Sequence, residues 1–253
     1  MTYIRTTAVV LKVVDHGESD KIVTFYTAAA GRLTGIAKGA KRSSRRFVNK
    51  LELFTCLEIS CSRRRQNLLA NIVEAELIDP YINLRQDYDS YIAASLIAEL
   101  ILSWARENDI DESLFSVLLW ALDNLNRGRQ AVDTVIFFLI KLLTIVGYQP
   151  HLATCITCGV MENSAGPYVF NLGQGGAVCG RCRSAMSPAA APLPLSLSTL
   201  KLLGSAQEMG LDKLNRLQFS AGSRKEAAGL LKKYCEHLLQ REIQSWTAFG
   251  RCC

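Results

Sequence analysis

The sequence predicts an α+β multidomain chain: an all-β segment at the N-terminus, a helical domain, and a small cysteine-rich module inserted into that domain. Three observations predict it. Hydrophobic residues alternate or run in short β-branched stretches up to about residue 80, and from about Asn83 they recur at three- and four-residue steps. Between residues 151 and 187 the chain turns Gly- and Cys-rich, and helical periodicity returns after it. At 253 residues, 49% hydrophobic and 21% charged, the composition is that of folded globular protein rather than disordered chain.

In the first segment, Thr6–Val14 is rich in β-branched residues and ends at the turn Asp15-His16-Gly17. Lys21–Tyr26 follows, then a turn at Ala30-Gly31, then Arg32–Lys38, Leu51–Ser60 and Asn67–Glu76. Five short strands separated by Gly-containing or basic loops make a small barrel or a sandwich, and periodicity alone does not choose between them.

Tyr91, Ala94, Ser95, Ala98, Leu102 and Ala105 mark the apolar face of a first helix. Asp111–Asn126 and Gln130–Val146 read as two more, with Gly147 as a stop. The most apolar stretch, Ala131–Val146, carries Asp133 and Lys141 and is too short for a membrane span, so a buried core helix is expected. The Pro-rich run Pro188–Pro194 reads as a stiff connector, followed by helices over Ser198–Met209 and Gly222–Ser245. The expected domains are thus 1–80, a helical domain of 81–150 and 188–253, and a module of 151–187. Met1–Val14 holds Arg5 and Lys12 and lacks a cleavage signature, which predicts a cytoplasmic protein with no membrane partner.

Cys155-Ile156-Thr157-Cys158 and Cys179-Gly180-Arg181-Cys182 form two C-x-x-C pairs twenty residues apart. A two-residue spacer lets both thiolates of a pair meet one ion, and zinc favours four soft ligands in a tetrahedron. Gly159 and Gly180 stand where a tight knuckle calls for permissive backbone. Four cysteines close the coordination shell, so the expected zinc is structural, and His151 would be surplus. Cys56 and Cys235 read as packing residues, and Cys252 and Cys253 as an exposed end.

The net charge is +6, but residues 31–65 alone hold ten cations against two anions. That concentration is the electrostatic footprint of a polyanion site. Tyr26, Phe47 and Phe54 lie near enough to offer stacking surfaces to bases, although core packing is the commoner fate of such residues. Asp15, His16, Glu18 and Asp20 could share a metal or a proton, yet a polar turn around Gly17 explains them more simply. A nucleophile elbow, a phosphate-cradling Gly-Lys-Ser/Thr loop and a His-Glu-x-x-His helix are absent, so no enzyme is expected.

Gly17-Glu18-Ser19-Asp20, Gly31-Arg32-Leu33 and Ala37-Lys38-Gly39-Ala40-Lys41-Arg42 together resemble the N-terminal signature of the bacterial recombination mediator family RecO. The resemblance continues through Ala75-Glu76-Leu77, Gly147-Tyr148-Gln149-Pro150 and the cysteine pairs with Gly175-Gly176 before Cys179. It implies an OB-fold barrel at 1–80 and a zinc module between helices. It also implies a non-catalytic activity: binding single- and double-stranded DNA, annealing complementary strands, and helping load RecA on DNA coated by single-strand-binding protein. Implied partners are RecR and the C-terminal tail of the coating protein. Lys38, Lys41 and Arg42 match the family's basic loop, and Arg45, Arg46 and Arg32 flank it. The competing readings are a zinc-ribbon transcription or RNA-binding factor and a metal-dependent nucleic-acid enzyme.

Overall fold

The computed structural model describes residues 2–63, 69–160, 167–185 and 192–252. They form two compact units, which divide between Gly128 and Arg129.

The first unit opens with a closed five-stranded barrel: β1 (Thr2–His16), β2 (Asp20–Thr27), β3 (Gly31–Ala37), β4 (Cys56–Arg63) and β5 (Ala70–Asp79), in the order β1-β2-β3-β5-β4. Closure decides between the two β architectures left open by the sequence. β1 pairs with both β2 and β4, and a parallel contact of β3 with β5 at Gly35↔Ala70 completes the ring. This is an OB-like barrel, as the resemblance implied. β1 is long enough to serve two neighbours because it shifts register between Val10 and Lys12, and such a bulge bends a strand around a small barrel.

The strand pattern has a physical cause in burial. Ala8, Val10, Val23, Phe25, Leu33, Leu57, Ile59, Ile72 and Ala75 fill the barrel interior. Val9 and Leu11 are buried too, although they lie outside that cluster. Helix α2 covers β1, so the run Val9-Val10-Leu11 is apolar on both faces.

Helices α1 (Ile82–Gln86), α2 (Tyr88–Trp104) and α3 (Glu112–Asn126) complete this unit. Asp87 and Asp111 cap α2 and α3 by accepting from the backbone N–H of Ser90 and Leu114. The buried stripe of α2 is wider than its periodicity suggested. Ala93, Leu96, Ile97, Leu100 and Ile101 are fully buried, because α2 packs on both β1 and α3.

In the second unit, α4 (Ala131–Ile145) is apolar almost all round and packs against α6 (Leu197–Glu208) and α8 (Ala221–Leu239). It is a core helix, and no described helix is long and apolar enough to cross a membrane. Lys141 of α4 turns its ammonium to the carbonyls of Gln207 and Met209 at the end of α6 (2.7 and 2.5 Å). Arg224 of α8 grips Asp133 of α4 with two hydrogen bonds of 2.6 and 3.0 Å.

The short helices α5 (Gly180–Arg183), α7 (Leu211–Leu214) and α9 (Ser245–Phe249) fill the remaining turns. The last long helix ends sooner than periodicity predicted, because Gln240 adopts a left-handed conformation (φ 53°). Strands β6 (Tyr168–Asn171), β7 (Gly176–Val178) and β8 (Leu193–Leu195) make a small sheet in the order β7-β6-β8. The first four residues of the expected Pro-rich connector, 188–191, lie outside the described residues, as do Arg64, Arg65 and Cys253.

Candidate nucleic-acid interface and metal centre

The basic residues sit on a loop that leaves β3 at Ala37 and re-enters the barrel at β4. Gly39 makes the first turn with φ 68°, in the left-handed region where a side chain is disfavoured, and a 3-10 turn spans Ala40–Arg42. Ala40, Phe47 and Leu51 then drop into the barrel core, so the loop is pinned at three points and its cations stand between the pins. Ser43 supports the middle, its hydroxyl accepting from the backbone N–H of Arg46 and Phe47 (3.1 Å each). It therefore shapes the loop.

Each expected nucleic-acid residue has a definite place. Lys38, Lys41, Arg42, Arg45 and Arg46 are all exposed, and Arg32 on β3 is half-buried. Lys38 and Arg45 have no ion-pair partner among the described residues. Arg46 lies over the Phe47 ring at 5.1 Å and donates to the Lys38 and Val73 carbonyls (3.3 and 3.5 Å). Arg32 donates to the carbonyl of Leu102 near the end of α2 (3.0 Å), a structural contact within the first unit. Arg63 ends β4.

The acidic turn between β1 and β2 meets this loop. The Asp20 carboxylate accepts from the Gly39 N–H at 2.8 Å and from the Ser19 hydroxyl at 2.8 Å. The Gly39 N–H first, and Ser19 second, hold its carboxyl below the usual carboxylate range. Lys41 donates its backbone N–H to Ser19 (2.9 Å) and its ammonium to the Gly17 carbonyl (3.1 Å), beside Asp15 at 3.1 Å. Arg42 faces Glu18 at 3.4 Å. The sequence reading took this turn as merely polar; its acids are in fact partners of the basic loop. The signal available in sequence was the clustering of three carboxylates in a turn of an otherwise basic barrel.

The aromatic residues considered as stacking surfaces are core. Tyr26, Phe47 and Phe54 are buried, Tyr26 against Phe115 (6.2 Å between centroids) and Phe54 edge-on to Tyr91 (5.4 Å). None offers a face to a base.

The four cysteines converge. Their Sγ atoms all lie within 4.8 Å of one another, Cys155 and Cys179 buried, Cys182 half-buried and Cys158 exposed. Tetrahedral thiolate ligands at ~2.3 Å from an ion stand ~3.8 Å apart, and the Cys158–Cys179 separation is 3.9 Å. The donor set therefore fits a metal ion. Burial opposes ionisation of Cys155, but the backbone N–H groups of Cys179, Cys158 and Thr157 outweigh it and bring the thiol down to about 6. Cys182 is pushed up to about 12, chiefly by its hydrogen bond with Cys179, as expected where four thiols crowd together without an ion.

The first knuckle is shaped by Gly159 at φ 75°, whereas Gly180 takes ordinary helical backbone at the start of α5. Gly175 has the stricter requirement: φ is 64°, and an added Cβ would meet the Tyr234 hydroxyl at 2.6 Å. Tyr234 also packs edge-on against Phe170, so α8 holds the module's sheet directly. His151 is exposed and hydrogen-bonds Thr154 (2.8 Å), outside the sulfur cluster. Cys56, Cys61 and Cys235 are buried, and burial raises each thiol. Cys252 is half-buried.

Comparison with known proteins adds to this geometry. The family descriptions "Recombination protein O N terminal" and "Recombination protein O C terminal" match residues 1–81 and 85–247. The chain is 35% identical over 243 residues to the DNA repair protein RecO of Syntrophus aciditrophicus (strain SB), covering 95% of this chain and 93% of that protein. It is 33% identical over 248 residues to the RecO of Thermoanaerobacter sp. (strain X514), covering 97% and 96%. The RecO of Anaeromyxobacter dehalogenans (strain 2CP-C) is 32% identical over 243 residues, covering 96% and 94%.

Proposed function

Because the chain belongs to the RecO family of DNA repair proteins, we propose that it is a non-catalytic recombination mediator that anneals complementary single strands. It would also help load RecA onto DNA coated by single-strand-binding protein. The observation that carries this reading is the pinned basic loop, with Lys38, Lys41, Arg42, Arg45 and Arg46 exposed on a closed five-stranded barrel. Annealing needs two strands held close with their charge neutralised and their bases still free to pair. Cations on the loop neutralise phosphates, and burial of Tyr26, Phe47 and Phe54 leaves the bases unstacked by the protein.

The proposed partners are single- and double-stranded DNA, RecR and the C-terminal tail of the coating protein, with RecA engaged indirectly. The proposed location is the cytoplasm, at the nucleoid. Cys155, Cys158, Cys179 and Cys182 would hold zinc, the ion that four thiolates in a tetrahedron favour. Four protein ligands leave no position for water, so its role is to hold together a module too small to build its own core. Annealing of complementary oligonucleotides, measured with and without coating protein, tests the reading. Acceleration in both conditions is expected, and no acceleration in either would refute it.

A further inference from the structure

Of the loop's cations, two face carboxylates of the β1–β2 turn, and the two contacts are unlike. Lys41 is held at three points: its backbone N–H by Ser19, its ammonium by the Gly17 carbonyl, and its charge by Asp15 at 3.1 Å. Its side chain is only 26% exposed. Arg42 and Glu18 touch at 3.4 Å with side chains 71% and 92% exposed, a contact that water and salt screen heavily.

We propose that the acidic turn sets how strongly the loop holds a nucleic-acid phosphate: Asp20 and Lys41 fix the loop in place, and Glu18 occupies Arg42 until a phosphate displaces it. This rests on the nucleic-acid reading above and divides its residues by task. Asp20 acts as a positioning residue through the Gly39 N–H. Lys41 already has a carboxylate and a carbonyl, so transferring it to a phosphate would break the loop's attachment to the turn. Lys38 and Arg45, without ion-pair partners among the described residues, remain the direct contacts, and Arg42 joins them once Glu18 is displaced.

The consequence concerns counterions. When a phosphate takes Arg42, one cation leaves the nucleic acid, but the released Glu18 carboxylate recruits one back. Arg42 therefore adds affinity with little salt dependence. A weak, exchangeable hold of this kind suits a protein that must release a strand once it has paired.

The test measures the affinity of a single-stranded oligonucleotide against salt concentration for wild type, Glu18→Gln, and the charge-neutral double variant Asp15→Asn with Lys41→Gln. Glu18 is almost fully exposed, so Glu18→Gln keeps the fold. It should bind about 1.4- to 5-fold more tightly, the range for releasing an exposed ion pair. Its salt slope should steepen by up to about 0.7, one phosphate's share on a single strand. The double variant should keep the wild-type slope, with a melting temperature reporting any loosening of the loop. A wild-type slope in Glu18→Gln, or a slope lower by about 0.7 in the double variant, would overturn the proposal. If wild-type protein shows no salt-dependent binding, the nucleic-acid reading itself falls.

Discussion

The Asp20 carboxylate, at the start of β2, accepts a hydrogen bond from the backbone N–H of Gly39, at 2.8 Å, across the gap between two turns of the barrel. Gly39 presents that N–H because it is in the left-handed region, and an added Cβ would meet nothing within 4 Å. Gly39→Ala therefore tests backbone strain without a clash. It should cost about 1 kcal/mol in denaturant unfolding, the usual penalty for a side chain in that conformation.

Asp20 gives the barrel a defined pH dependence. Its folded carboxyl lies below the ordinary range, so its contribution is fully present above about pH 4 and is lost as pH falls through the lowered value. Asp20→Asn should melt below wild type at neutral pH. The gap should close on acidification, as differential scanning calorimetry over a pH series would record.

Burial of Phe54 predicts that its loss affects stability and spares binding. The ring is 1% exposed and packs edge-on to Tyr91. Phe54→Ala should cost about 3–5 kcal/mol, while the folded fraction binds oligonucleotide with wild-type affinity. A selective loss of binding at unchanged stability would restore the stacking role.

In the second unit, Arg224 and Asp133 join α8 to α4 with side chains only 25% and 18% exposed. Asp133→Ala would leave a guanidinium without its bidentate partner and should cost about 2–3 kcal/mol. Asp133→Asn, which keeps one acceptor, should cost less. Chemical denaturation of the three proteins measures both.

The cysteine cluster predicts one zinc per chain by elemental analysis. Chelation should raise protease sensitivity around residues 167–185, because the metal supplies the folding energy of that segment. Cys179→Ser should do the same. Gly175→Ala should loosen the module through Tyr234 while retaining the ion.

Much of this was legible in the sequence, and the reasons differ by element. The cysteine pairs were read from spacing, because a C-x-x-C knuckle is a local geometry. The strands were legible from β-branched runs, but the choice of a closed barrel was not: it depends on Gly35 meeting Ala70, residues 35 apart in the chain. The fate of Arg32 was hidden for the same reason. Nothing near it in sequence announces that its guanidinium will find the Leu102 carbonyl. The tasks of Asp15, Glu18 and Asp20 were missed because their partners lie about twenty residues away, on a loop whose course is fixed by Ala40 and Phe47 entering the core.

The central claim is that the loop between β3 and β4 holds nucleic-acid phosphates, and the salt dependence of single-strand binding tests it most directly. Lys38→Glu with Arg42→Glu, compared with wild type from low to moderate salt, should bind more weakly and show a slope flattened by about 1.4, two phosphates' share. Wild-type affinity and slope in that variant would place the binding surface elsewhere and contradict the account.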